Sequence, residues 1–84
     1  VDFSVVFSYR AGGLKLSVRS EVPQLDAGVI VREALSGYPG GGGGHAGMAG
    51  GFIANLTEVE AEDTQYVVSE RMLQIIERYM NQVK

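Results

Sequence analysis

The sequence predicts a small α/β (α+β mixed) domain, a short mixed sheet with two helices packed on it. Three features carry this. Two alternating apolar–polar runs flank a Gly-Gly turn. A capped amphipathic segment follows them, and a long run of apolar residues at helical spacing ends the chain. The order is β-β-α-(glycine loop)-β-α.

Residues 1–10 place Val1, Phe3, Val5, Phe7 and Tyr9 on one side and Asp2, Ser4, Ser8 and Arg10 on the other. Period two over this length is a half-buried strand. Val6 interrupts the polar side, so that face is expected to be partly covered as well. Ala11-Gly12-Gly13 is a tight turn. Leu14, Leu16 and Val18 then alternate with Lys15, Ser17 and Arg19, and residues 14–20 complete an antiparallel hairpin. Val22-Pro23-Gln24-Leu25 ends the strand. Asp26 suits an N-cap, because its carboxylate can accept the unpaired N–H groups of a first helical turn. Ala27, Ile30, Val31, Ala34 and Leu35 keep helical spacing, so a helix is expected over 26–36, with Arg32, Glu33 and Ser36 on its exposed side. Gly37 is its left-handed stop and Pro39 lies just beyond.

Residues 37–51 hold nine of the twelve glycines and are expected to form a loop. Phe52 to Leu56 read as a third strand, and the acidic stretch from Thr57 to Asp63 as a further loop or a ragged edge. Val68, Met72, Leu73, Ile75, Ile76, Tyr79, Met80 and Val83 predict a long amphipathic helix over about 65–82. Its stripe suits a core or a domain interface, with Tyr79 and Met80 able to face a partner.

Composition narrows the function. The chain has 84 residues, 45% of them hydrophobic and 20% charged, as a globular domain has and a disordered tail has not. Its apolar runs are short, such as Val29-Ile30-Val31, whereas a membrane span needs about 20 residues. The absence of cysteine excludes disulfides, thiolate metal sites and cysteine nucleophiles. The net charge is −3, and the whole excess lies after residue 56. No basic run suits a long duplex, which demands many phosphate contacts. A small anion held by two or three donors stays open. The chain starts with Val1 inside an expected strand and shows no leader, so a fragment of a larger cytoplasmic protein is expected.

The glycine segment is the most informative. Flexible linkers mix glycine with serine and join separate units, whereas this run sits between a helix and a strand of one small domain. Without Cβ atoms, successive N–H groups can curl around an oxyanion. Gly42, Gly44 and Gly47 fit G-x-G-x-x-G, as any glycine run does, but the strand-then-helix setting of a dinucleotide fold is missing, as is a Walker Gly-Lys-Ser/Thr.

Gly42-Gly43-Gly44-His45-Ala46-Gly47-Met48-Ala49-Gly50 resembles the GGGH-x-x-A-[AS]-G signature of the DHHA1 domain. Leu16-Ser17-Val18-Arg19-Ser20 is similar to that family's strand ending S-x-R-S. Hairpin, helix, glycine loop and next strand match in order over roughly residues 3–55. Met48 departs from the pattern, which usually has alanine there. The last helix carries no matching motif.

The DHHA1 domain is the C-terminal substrate-binding part of DHH-family phosphoesterases. The family includes RecJ-type nucleases, oligoribonuclease/pAp phosphatases, cyclic-dinucleotide phosphodiesterases and exopolyphosphatase-related proteins. The resemblance implies that a manganese-dependent hydrolytic site lies in a separate N-terminal DHH domain, the chain's partner. This domain would hold a nucleotide or short single-stranded RNA or DNA, and be inactive alone. It also allows a homodimer of the parent. Carried over to this sequence, Arg19 is the phosphate-binding arginine. Gly42, Gly43, Gly44 and His45 line the phosphate site, and Ser17 and Ser20 are further hydrogen-bonding candidates. The chemistry fits, since arginine offers a two-pronged fork to phosphate and glycine amides add uncharged donors. The rival readings are a stand-alone nucleotide or single-strand binding module and a purely structural or dimerising domain whose glycine loop binds nothing. Among the other residues, Tyr38 is expected to pack under the loop, Met48 to be core, and Lys15 and the carboxylates from Glu58 to Asp63 to be solvated.

Overall fold

A computed structural model describes residues 2–10 and 12–82. The expectations for Val1, Ala11 and Val83 fall outside them. Six elements follow one another: β1 (Phe3–Arg10), β2 (Gly13–Ser20), α1 (Ala27–Ala34), β3 (Gly40–Gly44), β4 (Met48–Ile53) and α2 (Glu58–Asn81). The four strands make one antiparallel sheet in the order β1-β2-β4-β3. Both helices cover one face. The α+β class is as the sequence predicts.

The β1–β2 hairpin has the expected alternation. Leu14, Leu16 and Val18 are buried beneath the helices, while Lys15, Ser17 and Arg19 are exposed on the other face. Gly12 takes a left-handed φ of 79° in the turn, where its lack of Cβ is needed. α1 starts at Asp26, whose carboxylate accepts the Val29 N–H at 3.0 Å. It stops before Gly37, at φ 92°. Its apolar stripe of Ala27, Ile30, Val31 and Ala34 is buried together with Leu35.

Two expectations are corrected. The glycine segment is largely not a loop. Gly40–Gly44 is a strand paired with β4, and β4 begins at Met48 rather than at Phe52. Glycine weakens a strand, because it gains no side-chain packing and loses the most chain entropy. Here the helix layer compensates. A Cβ on Gly42 would lie 2.6 Å from Val31 Cγ1, and one on Gly51 would lie 2.4 Å from Leu35 Cδ1. One on Gly28 of α1 would lie 2.8 Å from the Gly44 carbonyl oxygen. The glycines form a trough that lets α1 lie close against β3 and β4.

The second correction concerns α2, which starts at Glu58 and absorbs the expected acidic loop. Thr57 caps it with a reciprocal box. Its hydroxyl accepts the Glu60 N–H at 3.1 Å, and the Glu60 carboxylate accepts the Thr57 N–H at 2.9 Å. That contact holds the Glu60 carboxyl below its usual range.

Two arginines of α2 clamp α1. Arg71 donates to the carbonyls of Ala34 and Ser36 at 2.8 and 2.9 Å, which satisfies groups a helix end leaves unpaired. Its guanidinium lies 5.2 Å from the Tyr38 ring centre. Tyr38 therefore packs, but against the core and α2 rather than under a glycine loop. Arg78 pairs with Glu33, which also accepts the Tyr79 hydroxyl. Together, Tyr79 first, these partners hold the Glu33 carboxyl below the ordinary carboxylate range, and Glu33 pushes the Tyr79 phenol up. Among the described residues no helix is long and apolar enough to cross a membrane.

Candidate functional site

Only one face of the sheet carries helices, and the register fixes what the other displays. Residues opposite one another across antiparallel strands share a face. Ser4, Arg19 and Met48 make one cross-strand row. Val6, Ser17, Gly50 and Gly43 make the next, and Ser8, Lys15, Phe52 and Gly41 a third. Arg10 and Gly13 close the end.

A shallow depression of about 600 Å³ opens on this face, lined by Ser4, Val6, Ser17, Arg19, Gly43 and Met48 together with Val18, Gly44 and Ala49. It brings Ser17 and Arg19 of β2 together with Gly43 and Gly44 of β3. Arg10, Lys15 and Arg19 all project from this face, and among the described residues none of them is in an ion pair. By the same alternation Asp2 and Glu21, joined by a backbone hydrogen bond of 2.7 Å, lie at the Arg19 end. From Ser4 to Arg10 the face carries cations and no carboxylate. A second depression, of about 460 Å³, lies at the far end between Tyr9, Phe52, Asn55 and Glu60, with a carboxylate and no cation.

The other candidates lie elsewhere. Gly42 faces α1, not the depression. Ladder bonds from His45 N–H to Met48 and from Ala54 N–H to Pro39 set the phase of the β3–β4 pairing. That phase turns the N–H groups of Gly40, Gly42 and Gly44 off the sheet's outer edge. The amides are therefore alternate donors on an edge strand, rather than the concavity of successive amides expected from the sequence. Ser20 is only 8% exposed. Its hydroxyl donates to the Leu25 carbonyl at 2.7 Å and accepts the Val22 N–H at 3.2 Å, so it is occupied in holding the β2–α1 connection.

His45 is exposed at the tip of the β3–β4 hairpin, in line with the row of Met48, Arg19 and Ser4. It is two strands from Arg19, about 10 Å at the usual strand spacing. Its Nδ1 accepts the Gly47 N–H at 3.2 Å. A neutral imidazole so held carries its proton on Nε2, which leaves that atom as a donor. The tip is anchored: Ser20 N–H donates to the Gly47 carbonyl at 3.0 Å, and the Ala27 and Gly28 N–H groups of α1 donate to the Ala46 and His45 carbonyls at 2.9 and 3.2 Å. With Asp26 on Val29, the first amides of α1 are already paired. An anion would therefore meet side chains and the β3 edge, not a free helix terminus.

Sequence reasoning missed Ser4 and Val6. Val6 does break an otherwise polar alternation, but the partial cover expected of that face is absent among the described residues, and Val6 is 64% exposed on it. Met48 is 49% exposed and forms part of the wall, not the core as expected. Among the described residues no three His, Asp or Glu side chains gather as a metal site.

None of the curated proteins compared with the chain matches it. A family model, that of the DHHA1 domain, matches residues 1–82.

Proposed function

The chain belongs to the DHHA1 domain family, and from that premise we propose that its open sheet face holds a phosphate of the substrate of a DHH-family phosphoesterase. DHHA1 domains accompany an N-terminal DHH domain, and the bond would be broken there, with manganese. The observation that carries the reading is the convergence of Arg19, Ser17 and Gly43 on one uncovered depression. Arg19 supplies the charge and a two-pronged fork. Ser17 adds a hydroxyl donor. Gly43 keeps that wall low, so that a phosphate can approach the backbone. His45, through Nε2–H, and the outward amides of Gly42 and Gly44 would meet the same anion, or its neighbouring phosphate, from the β3 edge. Short RNA and nucleotides, pAp included, are the substrates proposed. Cyclic dinucleotides and polyphosphate share the same phosphate chemistry.

Kinetics of the whole phosphoesterase test this. Hydrogen bonds to a charged group contribute about 1.5–3 kcal/mol, so Arg19→Ala should raise KM for a 5′-phosphorylated diribonucleotide roughly 10- to 100-fold. Arg19 is exposed and unpaired among the described residues, so the thermal midpoint should stay in place. An unchanged KM would remove Arg19 from the site.

A further inference from the structure

The buried side of α2 consists of Ala61, Val68, Met72 and Ile75. Its opposite side is unusual. Val59, Tyr66, Leu73 and Met80 are 69, 69, 61 and 43% exposed. Each lies seven residues after the last, nearly two helical turns, so they form one line about 32 Å long at 1.5 Å per residue. Asp63, Glu70 and Glu77 repeat at the same interval, four residues after each of the first three, and are exposed too. That offset sets a ladder of carboxylates alongside the apolar line. The cations of α2, Arg71 and Arg78, are both turned to α1. The charge left open on this face is therefore negative.

Two regular heptad ladders fit a helix laid along α2, because seven-residue repeats are what helix-on-helix packing reads. A second copy of this chain would bring carboxylate ladder against carboxylate ladder, which is repulsive. We propose instead that this face docks a basic amphipathic helix of another polypeptide, about three heptads long. It would carry aliphatic residues at seven-residue spacing and Lys or Arg beside them. The exposed apolar side chains present on the order of 500 Å², the upper end of what monomers show. The interface would thus be at the small end for specific complexes, and the contact transient and salt-sensitive.

The probe is a labelled 24-residue helical peptide with leucine at heptad positions and lysine flanking them. Two controls accompany it, a scrambled isomer of equal composition and a version with glutamate for lysine. Fluorescence anisotropy at low salt should show the patterned peptide binding at least tenfold tighter than the scrambled one. Leu73→Glu should weaken it tenfold or more, with circular dichroism unchanged. The double swap Glu70→Lys/Glu77→Lys should transfer preference to the glutamate peptide. Equal binding of patterned and scrambled peptides, or indifference to Leu73→Glu, would overturn the proposal. So would sedimentation showing a dimer of the chain that Leu73→Glu dissociates, because a second copy would then own the face.

Discussion

Gly42 and Gly43 are adjacent in one strand, yet a methyl group would meet different surroundings at each. At Gly42 it would press on Val31 Cγ1 at 2.6 Å and on the Gly50 carbonyl oxygen at 2.9 Å. Overpacking of that kind costs about 1–3 kcal/mol. For a domain of this size that is a fall in thermal midpoint of roughly 4–20 °C. At Gly43 the nearest atom would be Arg32 Nη1, at 3.6 Å, an ordinary contact. Gly43→Ala should therefore leave stability within about 0.5 kcal/mol while raising the floor of the depression. The expected pair of results is a destabilised Gly42→Ala, and a stable Gly43→Ala that binds phosphate more weakly. Thermal melts and a phosphate-ester titration of both variants check it. If the two behave alike in both assays, the separation of packing glycines from lining glycines is wrong.

At the scale of elements, the capping box that starts α2 is a concrete target. Thr57→Ala removes the acceptor for the Glu60 N–H and should cost about 1 kcal/mol. A urea midpoint that does not move would contradict it. The α1–α2 clamp predicts a pH dependence. Glu33 has a lowered carboxyl in the folded chain, so its contribution is full above the ordinary carboxylate value and fades as pH falls through the folded one. Tyr79 is raised, so its contribution is present below the ordinary phenol value and is lost as pH rises beyond it. Melts across pH should show Glu33→Gln flattening the acid limb, and Tyr79→Phe flattening the alkaline one. The elements also differ in how far they could be read in advance. The hairpin and α1 were legible because alternation, Asp26 and Gly37 are local signals. Thr57-Glu58-Val59-Glu60 fits the Ser/Thr-x-x-Glu box, but Ala61-Glu62-Asp63 follows it instead of an apolar run, and its acidity read as solvated loop. β3 was not legible. Five glycines carry no strand preference, and what makes them a strand is the β4 ladder and the pressure of α1, both contacts distant in sequence.

For the whole molecule, charge and exposure separate by side. The uncovered sheet face presents Arg10, Lys15 and Arg19, while the open charge of α2, on the helix side, is acidic. The net charge of −3 conceals this division. Alternation in the sequence puts the three cations on polar sides, but the strand pairing that makes those sides one surface is a property of the fold. The same holds for the site. Arg19 and the glycine segment stood out by motif, whereas the depression they share with Ser4, Val6 and Met48 follows from the order β1-β2-β4-β3. Every role proposed for Arg19, Ser17 and the glycines depends on that depression holding phosphate. An amide-shift titration of this chain with a 5′-phosphorylated diribonucleotide at low salt tests it most directly. A phosphate held there should give shifts confined to Ser17, Val18 and Arg19, to Gly42 through His45 and to Met48, and these should be lost in Arg19→Ala. Shifts that survive Arg19→Ala, or none in this set at millimolar ligand, would contradict it.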